Sequence, residues 1–149
     1  MDTQPTHIAQ TLLVAQTLLG TWEGTHRFLD AHGKETEVLR VRVSVGEANG
    51  TLTREEHATW EDGRVETTEL RGRMDGDVVH WNGAGQAGTA HPAGERTAVV
   101  HWTRAGEPGL AITELVSVGE ADDVRARTQH WSRGGAVFAR TLVDERRLS

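Results

Sequence analysis

The chain has 149 residues, 36% of them hydrophobic and 26% charged, with a formal net charge of −6. That length fits one domain with a real core, and the acidic balance argues against nucleic-acid or anionic-membrane partners, whose phosphates need a positive field. Cysteine is absent, which excludes a disulfide framework, a thiolate metal site and a cysteine nucleophile.

The N-terminal stretch MDTQPTHIAQTLLVAQTLLG carries no basic residue ahead of its apolar run and is too short to span a membrane. It therefore reads as neither signal peptide nor anchor, and a cytoplasmic address is expected. Ile8, Leu12, Ala15 and Leu19 recur at helical spacing, which predicts an amphipathic helix over 5–19. Asp2 or Thr3 can cap it, Pro5 suits its first turn, and Gly20 suits the C′ position.

Beyond Gly20, turn signals punctuate the chain at strand-length intervals, from DAHGK at 30 and EANG at 47 to EADD at 120 and RGG at 133. The Val-, Thr- and Trp-rich runs between them predict strands over 21–29, 36–46, 51–60, 65–74, 78–82, 97–104, 110–118, 124–132 and 136–144. The small-residue segment from Gly83 to Gly94 reads as a mobile loop. A meander of this length closes most economically into a barrel, because closure removes the sheet edges. The fold class expected is thus all-β, an antiparallel up-and-down barrel of about 8–10 strands. One domain is expected, with a helix over 5–19 and a barrel over 20–145.

Side-chain alternation then assigns faces. Leu39, Val41, Val43 and Val45 share the expected inner face of the second strand. In the third strand Leu52, Arg54, Glu56, Ala58 and Trp60 share a face, and in the seventh Leu110, Ile112, Glu114, Val116 and Val118 do. Buried charges are costly unless paired or reached by water. Two arrangements resolve this: a wet cavity inside the barrel, or an ion pair such as Arg54–Glu114. Three His-Trp pairs, at 80–81, 101–102 and 130–131, raise the question of a metal or haem site. Alternation turns Trp81 and Trp102 inward and His80 and His101 outward. On the eighth strand the smoother face, Val124, Ala126, Thr128 and His130, is expected inside. The three histidines are therefore not expected to converge, and no metal site is expected.

The run LLGTWEGTHRF, Leu18 to Phe28, carries a Gly-Thr-Trp triplet that follows the predicted helix and opens the first strand. It resembles the Gly-x-Trp start of the calycin superfamily, which includes lipocalins, fatty-acid-binding proteins, nitrobindin-like proteins and small bacterial lipocalin-like domains. The resemblance implies that Trp22 plugs the closed end of the barrel and that an arginine of the last strand packs over it. Arg140, on a face with Phe138 and Leu142, is the matching position. The chain lacks the Tyr-Pro pair of nitrobindin-like proteins and the disulfides of secreted lipocalins; its short turns are closer to the bacterial branch. What the resemblance implies is a barrel with a small-molecule cavity.

With Trp22 inward, His26 and Phe28 face inward too. An imidazole at 26 can donate to a carbonyl, act as a general base or bind a metal. Arg54 can anchor a carboxylate head group, and Glu56 can act as a base if burial raises its pKa. Glu114 and Glu66 carry the same choice between structural ion pair and site residue. Trp60 can wall the cavity, and His130 can reach a ligand if its face turns inward. The expected ligand-binding set is His26, Arg54, Glu56, Trp60, Glu114 and His130, with His26 and Glu56 as candidate catalytic groups. No cofactor is called for. The leading function is binding of a small amphipathic or aromatic molecule. The alternative is a cavity enzyme of isomerase or cyclase type, with haem binding through His130 or His26 third. The polar outer faces permit a monomer or a homodimer.

Overall fold

Ten antiparallel strands follow one another in a computed structural model of the chain, which describes residues 17–148. They are β1 (Gly20–Asp30), β2 (Glu35–Ala48), β3 (Thr51–Thr59), β4 (Val65–Asp75), β5 (Val78–Gly83), β6 (Gln86–Pro92), β7 (Thr97–Arg104), β8 (Leu110–Val118), β9 (Val124–Arg133) and β10 (Ala136–Arg147). Each strand pairs with its sequence neighbours and β10 returns to β1, so the sheet closes into the expected up-and-down barrel. The helix expected over 5–19 lies outside the described residues except at its end, where residues 17 and 18 are helical.

Turn chemistry sets the register. Asn49 and Gly50 have φ of 55° and 80°, the left-handed pair that Asn-Gly supplies to a tight hairpin, here between β2 and β3. Between β1 and β2 the Asp30 carboxylate accepts from the backbone N–H groups of His32 and Lys34 at 2.9 and 3.0 Å. Closure itself depends on Gly24, since a Cβ there would sit 1.9 Å from the Asp144 carbonyl oxygen on β10.

Residues 83–94 are not a loop but hold β6, and their smallness is a packing requirement. Gly88 lies in register between Trp81 and Trp102, and a Cβ on it would come 2.4 Å from the Trp102 ring. Gly72 stands in the same relation to Trp81, with a contact of 2.8 Å. One inner row therefore runs Gly72, Trp81, Gly88, Trp102, Ile112, Trp131, with glycines leaving room for indoles at close-packed density. On the outer side of the same strands lie His80, Thr89, His101, Thr113 and His130. The His-Trp repeats thus place tryptophans inside and histidines outside at one level of the barrel.

The inner faces of β2, β3, β5, β7 and β8 are those that alternation predicts, with Val41, Val43, Leu52, Val79, Val100 and Val116 almost wholly buried. Strand β9 is reversed. Arg125 and Arg127 are buried at 4% exposure each, while Val124 and His130 are exposed. The guanidinium groups turn inward because carboxylates on β8 and β10 meet them there, and that pairing outweighs the smoother hydropathy of the other face. Strand β10 likewise turns Thr141, Val143 and Glu145 inward and leaves the Phe138–Arg140 face outside, after a register shift between Val137 and Ala139.

Candidate functional site

The site is built up from Trp22 on β1. Trp22 is fully buried between the guanidinium groups of Arg125 and Arg147, which lie 4.5 and 4.2 Å from its ring centre. Its indole N–H donates to the Leu19 carbonyl at 3.0 Å. Arg147 donates to that carbonyl at 3.4 Å, and Arg125 donates to the carbonyls of Thr17 and Leu18 at 3.3 and 3.4 Å. Carbonyls at a helix end lack partners in their own helix and attract cations, which explains the two arginines. Trp22 is buried, as the resemblance implies, but Arg140 does not pack over it. Arg140 pairs with His130 on the outer face, and Arg125 and Arg147 take the expected place.

Next to Trp22 lies a layer of buried ion pairs. Arg127 donates through Nη1 to Glu114 Oε2 at 2.9 Å, and through Nε and Nη2 to the two Glu145 oxygens at 3.0 and 2.9 Å. Arg125 Nε donates to Glu145 Oε1 at 2.6 Å. Glu114 also accepts from Trp102 Nε1 at 3.2 Å and Gln129 Nε2 at 2.9 Å. Arg54 pairs not with Glu114 but with Glu56, two residues along its own strand, at 2.7 Å. Three guanidinium groups thus face three carboxylates, and the layer carries no net charge. Buried charge is tolerable here because nearly every donor and acceptor finds a partner.

Protonation follows from these contacts. Burial tends to raise the Glu145 carboxyl, but Arg127 and Arg125 hold it down to about 2. Burial likewise works against ionisation of Glu114 and Glu56, yet Arg127 and Arg54 prevail at Glu114, and Arg54 and Arg127 at Glu56; both carboxyls lie below their ordinary value. The condition under which Glu56 would become a base, a pKa raised by burial, is therefore not met. His26 is lowered to about 4, by burial first and the Arg127 charge second. Arg127 Nη2 donates to His26 Nε2 at 2.8 Å. Since a guanidinium has only hydrogens to give, Nε2 is the acceptor and the imidazole proton sits on Nδ1. The lone pair with which His26 could take a proton or ligate a metal is occupied.

On this floor stands a cavity of about 350 Å³. His26, Arg54, Glu56, Glu114 and Arg127 form its base, and Phe28, Trp102, Ile112 and Trp131 its wall. A second void, of about 20 Å³, is lined by Leu18, Val43, Val45 and Val116 together with Arg125 and Arg127. The sequence left a wet cavity and an ion pair such as Arg54–Glu114 as alternatives; the barrel contains a cavity, and Arg54 and Glu114 pair with other partners at its base. Trp60 stands at the rim as expected, its indole N–H donating to Glu37 and its ring under the Arg64 guanidinium, 4.0 Å from the centre. Glu66 is also at the rim and exposed. His130 is outside and does not line the cavity. Among the described residues no group of three or more His, Asp or Glu side chains could hold a metal ion.

The residues that sequence reasoning missed lie mostly on β9: Arg125, Arg127, Gln129 and Trp131, with Glu145 opposite. Their signal was present as a strict two-residue period, but only their carboxylate partners determine that this polar face is the inner one.

No family model matches the chain, and no curated protein sequence matches it. Solved structures do. A protein of unknown function from the DUF3598 family of Nostoc punctiforme matches with a TM-score of 0.68 and 16% identity, over 89% of this chain and 48% of its own. The chain thus spans about half the length of that relative. The S-type phycobiliprotein lyase CPES of Guillardia theta matches with a TM-score of 0.70 and 11% identity, over 96% of this chain and 97% of the lyase. Rv2717c of M. tuberculosis matches with a TM-score of 0.67 and 11% identity, over 93% and 98% of the two chains. At these identities the likeness is one of fold alone.

Proposed function

We propose that the protein binds a small, partly aromatic molecule in the barrel cavity. One observation carries this reading: about 350 Å³ of space with an aromatic wall stands on a polar floor whose charges already satisfy one another. The volume falls within the range of small-ligand sites, and a pre-formed pocket with a few fixed polar groups is their usual construction. The fold likeness to a phycobiliprotein lyase is compatible with it. The geometry favours binding over proton transfer. An isomerase or cyclase working through His26 or Glu56 needs a free base near its operating pH. Here the His26 lone pair accepts from Arg127, and the Glu56 carboxylate is held by Arg54. The same engaged lone pair weighs against haem ligation by His26.

Native and denaturing mass spectra of freshly purified protein test the reading, with Ala58→Phe as the blocked-cavity variant. Ala58 lines the cavity and is buried. An adduct present in the native spectrum, lost on denaturation and missing from Ala58→Phe is expected. If no adduct appears, and millimolar aromatic and aliphatic probes leave tryptophan emission unchanged, the binding reading is wrong.

A further inference from the structure

Arg54 and Arg127 are neutralised by carboxylates, but a third cavity-lining arginine is not. Arg104, at the end of β7, makes no ion pair among the described residues. Its contact is with an indole: its guanidinium lies over Trp131, 4.8 Å from the ring centre. Its Nε is buried and has no hydrogen-bond partner among the described residues. The terminal nitrogens are not closed off in this way, and they are the part of this cavity-lining guanidinium that a ligand can meet.

We infer that this cavity takes a monoanionic aromatic acid whose carboxylate is held by Arg104; the inference rests on the binding reading above and names the class of its ligand. The two terminal nitrogens offer a fork of N–H groups, which a carboxylate accepts end-on. The Trp131 ring beneath is fixed in advance, because its own N–H donates to Thr141 Oγ1 at 3.0 Å. An aromatic body attached to the acid then meets Trp131, Trp102 and Phe28 on the wall. The charge count selects a single negative charge. The lining carries Arg54, Arg104 and Arg127 against Glu56, Glu66 and Glu114, and Glu66 is exposed at the rim. A dianion would meet these carboxylates with only one uncommitted cation. At the base, the His26 Nδ1–H is a second donor, suited to a neutral oxygen on the far side of the ligand.

Tryptophan-emission titrations with 2-naphthoate, the isosteric neutral 2-naphthamide and 2-naphthyl phosphate separate the possibilities, on the unmodified chain and on Arg104→Gln. A charge-assisted bidentate contact corresponds to roughly a 10- to 100-fold change in affinity. Naphthoate is expected to bind the unmodified chain at least about 10-fold more tightly than the amide, and to lose that advantage in Arg104→Gln. Amide binding should change by less than about 3-fold and serves as the measure of an intact cavity in the variant. Equal binding of acid and amide, unaffected by Arg104→Gln, overturns the acid assignment and leaves the cavity reading standing. Tighter binding of the phosphate than of naphthoate overturns the monoanion class. If none of the probes binds, the cavity reading falls and this inference with it.

Discussion

Replacing Arg127 by leucine tests the central claim that the ion-pair layer is a mutually dependent set. Arg127 is 4% exposed and reaches Glu114, Glu145 and His26 at once, all at 2.8–3.0 Å. Its loss leaves Glu145 with Arg125, but Glu114 with only the neutral donors of Trp102 and Gln129. An uncompensated buried carboxylate costs about 3–5 kcal/mol. For a chain of this size that corresponds to a fall in Tm of roughly 10 °C. Urea unfolding at pH 7, followed by the emission of the five tryptophans, should show a lower midpoint with an unchanged m-value. Glu114→Gln removes the stranded charge, so the Arg127→Leu/Glu114→Gln double variant should recover at least about 1 kcal/mol relative to additivity. A loss below about 1 kcal/mol for Arg127→Leu, or strictly additive single effects, would refute the reasoning, because the layer would then be a set of independent contacts.

Acid sensitivity should come in two overlapping steps. His26, with its folded pKa lowered to about 4 from 6.5, binds fewer protons folded than unfolded between those values. Its contribution, about 3 kcal/mol, is present above pH 6.5 and lost as pH falls to 4. Glu145, lowered to about 2 from 4.5, stabilises the fold above pH 4.5, and that contribution is lost as pH falls to 2. Stability measured by urea against pH should lose the upper step in His26→Gln, whose amide oxygen can still accept from Arg127; persistence of that step would assign it elsewhere. Gly24→Ala should be far more damaging than Gly88→Ala. The first meets a backbone oxygen at 1.9 Å across the closing strand pair, while the second displaces a Trp102 ring at a cost of about 1–3 kcal/mol. Equal midpoints in urea for the two would contradict this. Finally, His80→Ala, His101→Ala and His130→Ala should each lie within about 0.5 kcal/mol of the parent and leave cavity binding unchanged, since all three face outward. Loss of probe binding in His130→Ala would restore that residue to the site.

Alternation and turn chemistry made the barrel legible from the chain alone. Asn49-Gly50 and the DAHGK turn mark where strands reverse, and the valines of β2 mark which face is inside, because these are local properties of neighbouring residues. The family resemblance carried by the Gly-Thr-Trp triplet implied a buried Trp22, and Phe28, Trp60 and Glu114 stand where alternation put them. Three things were settled only by residues meeting across the barrel. Strand β6 was obscured because Gly88 answers to Trp81 and Trp102 on its neighbours, not to any local turn. The inner face of β9 was inverted because Arg127 and Arg125 are stabilised by Glu114 and Glu145, 13 and 20 positions away in sequence, and hydropathy cannot register a partner. Arg104 stands apart for the opposite reason: the fold gives carboxylate partners to Arg54 and Arg127 beside it and leaves this one over an indole at the cavity wall.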